Sequence, residues 1–187
     1  FITSGSNLNG FDKSGAPLWS TIPLGGLSQV TPTIDSVFNR IYVGVSNKNF
    51  FAVDYKTGKV AWNLICDAPI NASAIITGDR KLVFVSQTGT LYGFDISKSD
   101  VQTTPKWKMS FGDIITKSPA VDASSNIYVG TNAGRLIKFM LNTDGSVSVK
   151  WNVILGSAIQ TSPVIDADSN IYVGTEKGDF YKINRLN

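Results

Sequence analysis

The chain has 187 residues, 42% of them hydrophobic, with 17 Lys and Arg against 14 Asp and Glu and a net charge of +3. That length builds one domain with a sizeable core, and its cations are scattered rather than gathered into a stripe, which argues against nucleic-acid binding. Histidine is absent and Cys66 stands alone, so the commonest zinc ligand, the commonest general base and any internal disulfide are all removed.

In chain order, the first residues, Phe1-Ile2-Thr3, carry no initiator Met, as expected of a mature or excised piece of something longer. No apolar run approaches the roughly 20 residues of a membrane span, and nothing at the start reads as a signal peptide. Residues 1–21 form a partial unit ending near Trp19. Units 28–65, 70–110 and 114–155 follow as complete copies, and 159–184 as another partial one. Ile41-Tyr42-Val43-Gly44 returns as Leu82-Val83-Phe84-Val85, Ile127-Tyr128-Val129-Gly130 and Ile171-Tyr172-Val173-Gly174. Thr31-Pro32, Ser118-Pro119 and Ser162-Pro163 open three of the units. Seven residues after each run begins stand Lys48, Gly89, Gly134 and Gly178.

One unit predicts four short strands. Ser118 to Asp122 is the first, with Pro119 where a missing N–H costs little. Ile127 to Thr131 is apolar almost throughout, as a strand buried on both faces must be. After a turn whose Gly134 suits positive φ come Leu136 to Leu141 and then Val147 to Trp151. The four tryptophans, Trp19, Trp62, Trp107 and Trp151, step by 43, 45 and 44 residues. A four-stranded antiparallel unit repeating at that period predicts an all-β propeller with about four blades present, three full and two partial, over one domain, 1–187.

Residues 52–62 read Ala-Val-Asp54-Tyr-Lys-Thr-Gly58-Lys-Val-Ala-Trp62. This is similar to the tryptophan-docking motif of the quinoprotein-like propeller repeats, a family holding pyrroloquinoline-quinone dehydrogenases and non-catalytic outer-membrane assembly lipoproteins. Phe11 to Trp19 is a version one residue shorter, and the resemblance covers nearly the whole chain. Without the family, Asp54 still suits bonding the backbone of its own turn, Gly58 suits a strained dihedral, and the indole suits a place between blades.

The resemblance implies two activities. The dehydrogenases use adjacent cysteines, a tryptophan floor under the quinone, and calcium held by carboxylate and amide groups; this chain has one Cys, and every Trp stands at a docking position. Asp166, Asp168 and Asn170 offer oxygens at alternating positions, as cation loops do. They also suit an ordinary polar turn, since Asp122 to Asn126 and Asp35 to Asn39 recur at the same place. Cys66 reads as a small buried hydrophobe. No nucleophile elbow or phosphate loop is present. The insertion from Ser97 to Pro105 lengthens one loop, where binding function gathers.

The expectation is a non-catalytic scaffold or binding module for a protein or glycan, using no cofactor. The alternative is a fragment of a pyrroloquinoline-quinone dehydrogenase whose active residues lie outside the chain. The family implies a periplasmic or extracellular protein. An open ring leaves three readings: part of a longer propeller, two copies closing one ring, or a small closed ring.

Overall fold

The computed structural model describes residues 1–99 and 103–184. Among them every regular element is a strand, and all strand pairing is antiparallel. β1 (Ile2–Ser4), β2 (Asn7–Asn9) and β3 (Ile22–Pro23) form a three-stranded sheet. β4 (Thr33–Asp35), β5 (Arg40–Gly44), β6 (Asn49–Asp54) and β7 (Val60–Ile65) form the next as a simple meander. The third sheet repeats it with β8 (Ile75–Ile76), β9 (Lys81–Val85), β10 (Thr90–Asp95) and β11 (Trp107–Ser110). The fourth does so with β12 (Ala120–Val121), β13 (Ile127–Gly130), β14 (Arg135–Leu141) and β15 (Val147–Ile154). β16 (Val164–Ile165), β17 (Ile171–Gly174) and β18 (Phe180–Ile183) make a last, three-stranded sheet.

All four strands of the fourth sheet differ from their predicted bounds, the second and third by a single residue and the first and last by more. The first strand of the fourth sheet shrinks to Ala120–Val121, because Ser118 turns its N–H to Ser162 Oγ in the next sheet (3.1 Å) and Pro119 has none to give. The fourth strand runs past Trp151 to Ile154, held by pairing with β14 as far as Arg135. A bulge at Lys138/Phe139 absorbs the extra residue.

The sheets stack face to face, and the core lies between them. Leu8, Ile22 and Leu24 of the first meet Ile41, Val43 and Val53 of the second. Tyr42, Phe50 and Trp62, on the other face of that sheet, meet Leu82, Phe84 and Phe94 of the third. Phe50 and Phe84 stack with ring centroids 3.6 Å apart. The second strand of each full sheet is therefore buried on both faces, which explains its unbroken apolar run. The short first strands β4, β8, β12 and β16 touch one another in succession, so they form the inner side of the stack.

Candidate functional site

The tryptophans lie at the seams between sheets. Trp19 sends its indole across to the second sheet, where Nε1 donates to the Tyr55 carbonyl at 2.9 Å. Its ring lies against Gly58, whose φ is +70° and whose Cβ, if it had one, would fall 2.7 Å from the Trp19 Cγ. Glycine is thus required there twice, by dihedral and by space. Trp107 repeats the arrangement with Nε1 donating to the Asn142 carbonyl at 2.6 Å. Trp62 packs on Phe94 of the next sheet, centroids 5.3 Å apart. Trp151 faces Tyr128 at 6.0 Å and is only partly buried, as is Trp19. Burial thus runs from 1% exposure at Trp107 to the two half-open outer positions.

Asp54 bonds its own turn, accepting from the Lys56 and Thr57 N–H groups at 3.0 Å each and from the Thr57 hydroxyl at 3.1 Å. Against the upward pull of partial burial, these donors and Arg40, 2.8 Å away, hold its carboxyl below the ordinary carboxylate value.

The turn of Asp166, Asp168 and Asn170 satisfies itself. Asp166 Oδ1 accepts the Asn170 N–H at 2.8 Å, and Oδ2 accepts the Asn170 amide at 2.8 Å and the Tyr172 hydroxyl at 3.0 Å. Asp122 makes the same three bonds with Asn126 and Tyr128 at 2.9, 2.8 and 2.9 Å. Asn170 turns a donor to Asp166, so a cation there would have to displace the bonds that shape the turn. Among the described residues no group of three or more His, Cys, Asp or Glu is placed to hold a metal. The donor set does not fit calcium. Nor do these residues fit a quinone: Cys66 is buried, burial with the adjacent Asp67 charge pushes its thiol up to about 12, and the indoles lie at the seams.

Three groupings escaped the sequence reading. Asp35, with a fully buried side chain, takes both guanidinium nitrogens of Arg80 in the next sheet at 3.0 and 2.6 Å. Asp67 accepts the hydroxyls of Thr88, Thr90 and Tyr92 at 2.6, 2.6 and 2.9 Å. Those bonds outweigh its desolvation and hold its carboxyl well below the usual range. In the third, a hydroxyl links each inner strand to the next: Thr31 N–H to Ser73 Oγ at 3.0 Å, Ser73 N–H to Ser118 Oγ at 2.8 Å, and Ser118 N–H to Ser162 Oγ. The Thr/Ser-Pro openings were its signal, but Ser73 is followed by Ala and hid the fourth member.

The connections between sheets gather at one end, beside the hairpins that join the second and third strands. There Ser46, Gln87, Asn132 and Glu176 donate N–H bonds to the carbonyls of Leu27, Pro69, Ile114 and Ala158 at 2.8–2.9 Å. These four apolar residues hold one equivalent position in successive connections. Leu27 is 57% exposed and Ile114 47%. The loop from Ser97 to Pro105 lies partly outside the described residues.

A family model described as outer membrane protein assembly factor BamB matches residues 4–102. The chain belongs to that family. The crystal structure of BamB from Moraxella catarrhalis superposes with a TM-score of 0.77 at 20% identity, covering 99% of this chain and 55% of that one. A computationally designed protein, Ika8, superposes with a TM-score of 0.74 at 12% identity, covering 92% of this chain and 50% of its own. At such identities the likeness is one of fold, and the stacked sheets are the blades of a β-propeller. The chain spans about half the length of these two structures. No curated protein matches it. Within the BamB family frame, the seam tryptophans and the apolar end are what this chain's own residues bring to the propeller.

Proposed function

We propose that this chain is part of a non-catalytic propeller scaffold that docks a protein partner in outer-membrane protein assembly. The docking face is the end that carries the sheet-to-sheet connections. One observation carries the reading: Leu27, Pro69, Ile114 and Ala158 occupy the same position in four successive connections, and two of them leave large aliphatic side chains exposed. An apolar row on a loop surface set by rigid sheets is what a protein interface uses. The family's named role supports a protein partner and a periplasmic or extracellular setting.

The experiment is photocrosslinking in cells, with a benzoyl-phenylalanine at position 27 or 114 of the full-length protein. Both positions should give an adduct with a component of outer-membrane β-barrel assembly. Val37, 61% exposed in the β4–β5 hairpin at the other end, should give none. Equal labelling from position 37, or none from 27 and 114, would overturn the proposal. The reading includes no bound metal: calcium should leave the melting temperature unchanged, and a rise that Asp166→Ala removes would contradict it.

A further inference from the structure

We propose that the Asp35–Arg80 pair is a key that fixes which sheet packs on the second one, and that it serves the uniqueness of the fold rather than its stability. This goes beyond the docking reading and uses none of its residues. From the second sheet onward, the hairpin between the first and second strands carries one left-handed residue: Asn39, Arg80, Ser125 and Ser169, with φ from +56° to +64°. The third sheet alone puts a cation there. The same hairpins open on Asp35, Thr77, Asp122 and Asp166. Asp122 and Asp166 are satisfied inside their own hairpins, by Asn126 and Tyr128 and by Asn170 and Tyr172. Such a carboxylate makes no demand on the neighbouring sheet.

Asp35 differs. Arg40, at the Asn126 position, turns to Asp54 at 2.8 Å. Within its own hairpin Asp35 accepts the Val37 N–H at 3.0 Å, and its charge is met from the third sheet by two guanidinium nitrogens of Arg80. Arg80 also donates to the Ile96 carbonyl at 3.2 Å and lies over the Phe38 ring, 5.4 Å from its centroid. Phe38 stands where the later hairpins carry Asp79, Ser124 and Asp168. The second sheet thus offers a buried carboxylate and an aromatic face that suit one partner. The apolar faces give no such discrimination, because β5, β9, β13 and β17 carry similar apolar runs. Wrong association between similar units is the characteristic failure of repeat chains. In a wrong pairing Asp35 would meet Ser125 or Ser169 and stay buried without a cation, which is strongly unfavourable. Arg80 set on the fourth sheet would meet Asp122, whose carboxylate is already bonded to Asn126 and Tyr128. Replacing a buried ion pair by apolar side chains of similar volume is often neutral or stabilising, so what this pair adds is choice of neighbour.

The test refolds the full-length protein from urea and reads the yield of native monomer by size-exclusion chromatography with light scattering. Asp35→Leu/Arg80→Met should melt no lower than wild type, yet its monomer yield should fall at least about twofold, the loss appearing as oligomers. Ser125→Arg copies the cation into the fourth sheet, beside the Asp79 carboxylate that Ser125 already bonds. That duplicate key should lower the monomer yield in the same way at an unchanged melting temperature. A double variant that melts as low as Arg80→Ala would overturn the proposal, because the pair would then be a plain support. Wild-type yield from the double variant, or from a Ser125→Arg chain of unchanged melting temperature, would overturn it too. Should Ser125→Arg itself melt low, the double variant decides alone.

Discussion

Replacing Trp107 by Phe tests the seams most directly. Trp107 is 1% exposed, donates to the Asn142 carbonyl at 2.6 Å, and lies beneath the ammonium groups of Lys106 and Lys81 at 4.8 and 5.5 Å. Phenylalanine keeps one ring and loses the donor. The lost hydrogen bond costs about 1 kcal/mol. The weaker hold on two cations adds about 0.5 kcal/mol, and the unfilled space about 1 kcal/mol. The total is about 2–3 kcal/mol, which shifts a urea midpoint by roughly 1 M at a slope of about 2 kcal/mol per M. Trp151→Phe is the internal control: its indole is half-open and has no donor bond among the described residues, so the change should cost under about 1 kcal/mol. Equilibrium urea unfolding followed by far-ultraviolet circular dichroism avoids reading the substituted chromophore. Equal midpoints for the two variants would refute the assignment of cost to seam contacts.

Gly89 has φ +78°, and an added Cβ would sit 2.0 Å from the Asp113 carbonyl oxygen, so Gly89→Ala should cost about 3 kcal/mol or more. At the matching position Lys48 has φ +72°, and Lys48→Gly should instead stabilise by about 1 kcal/mol in thermal unfolding. Arg80→Ala leaves the buried Asp35 carboxylate without its cation and should cost about 3–5 kcal/mol. Adding Asp35→Ala to it should recover part of that loss, and a double variant as unstable as the single would contradict the pairing. The Asp67 carboxyl is held below its ordinary value of 3.8, so its contribution is present above that pH and is lost as pH falls below it. In acid unfolding, Asp67→Asn should lose less stability than wild type from about pH 5 downward.

The sequence by itself determined the repeat and what sits inside one repeat. The tryptophan step, the apolar second strand and the glycines of the hairpins are local demands of dihedral, pairing and burial, so they print at fixed spacing. Gly134 was legible as a positive-φ position and has φ +77°. Asp54 was legible as the hub of its own turn because every partner lies within three residues or on the paired strand. What only the tertiary structure decided is what one blade does to the next. Asp35 finds Arg80 45 residues away, at a position filled by Asn39, Ser125 and Ser169 in the other blades, so no repeat signal marked it. Ser73 joins the hydroxyl row without the proline that marked its counterparts. Lys81 reaches the Leu141 carbonyl at 2.6 Å across 60 residues for the same reason. Such contacts depend on the angle and distance at which blades stack. Those are fixed by side chains packing across the seam, not by the pattern within either strand.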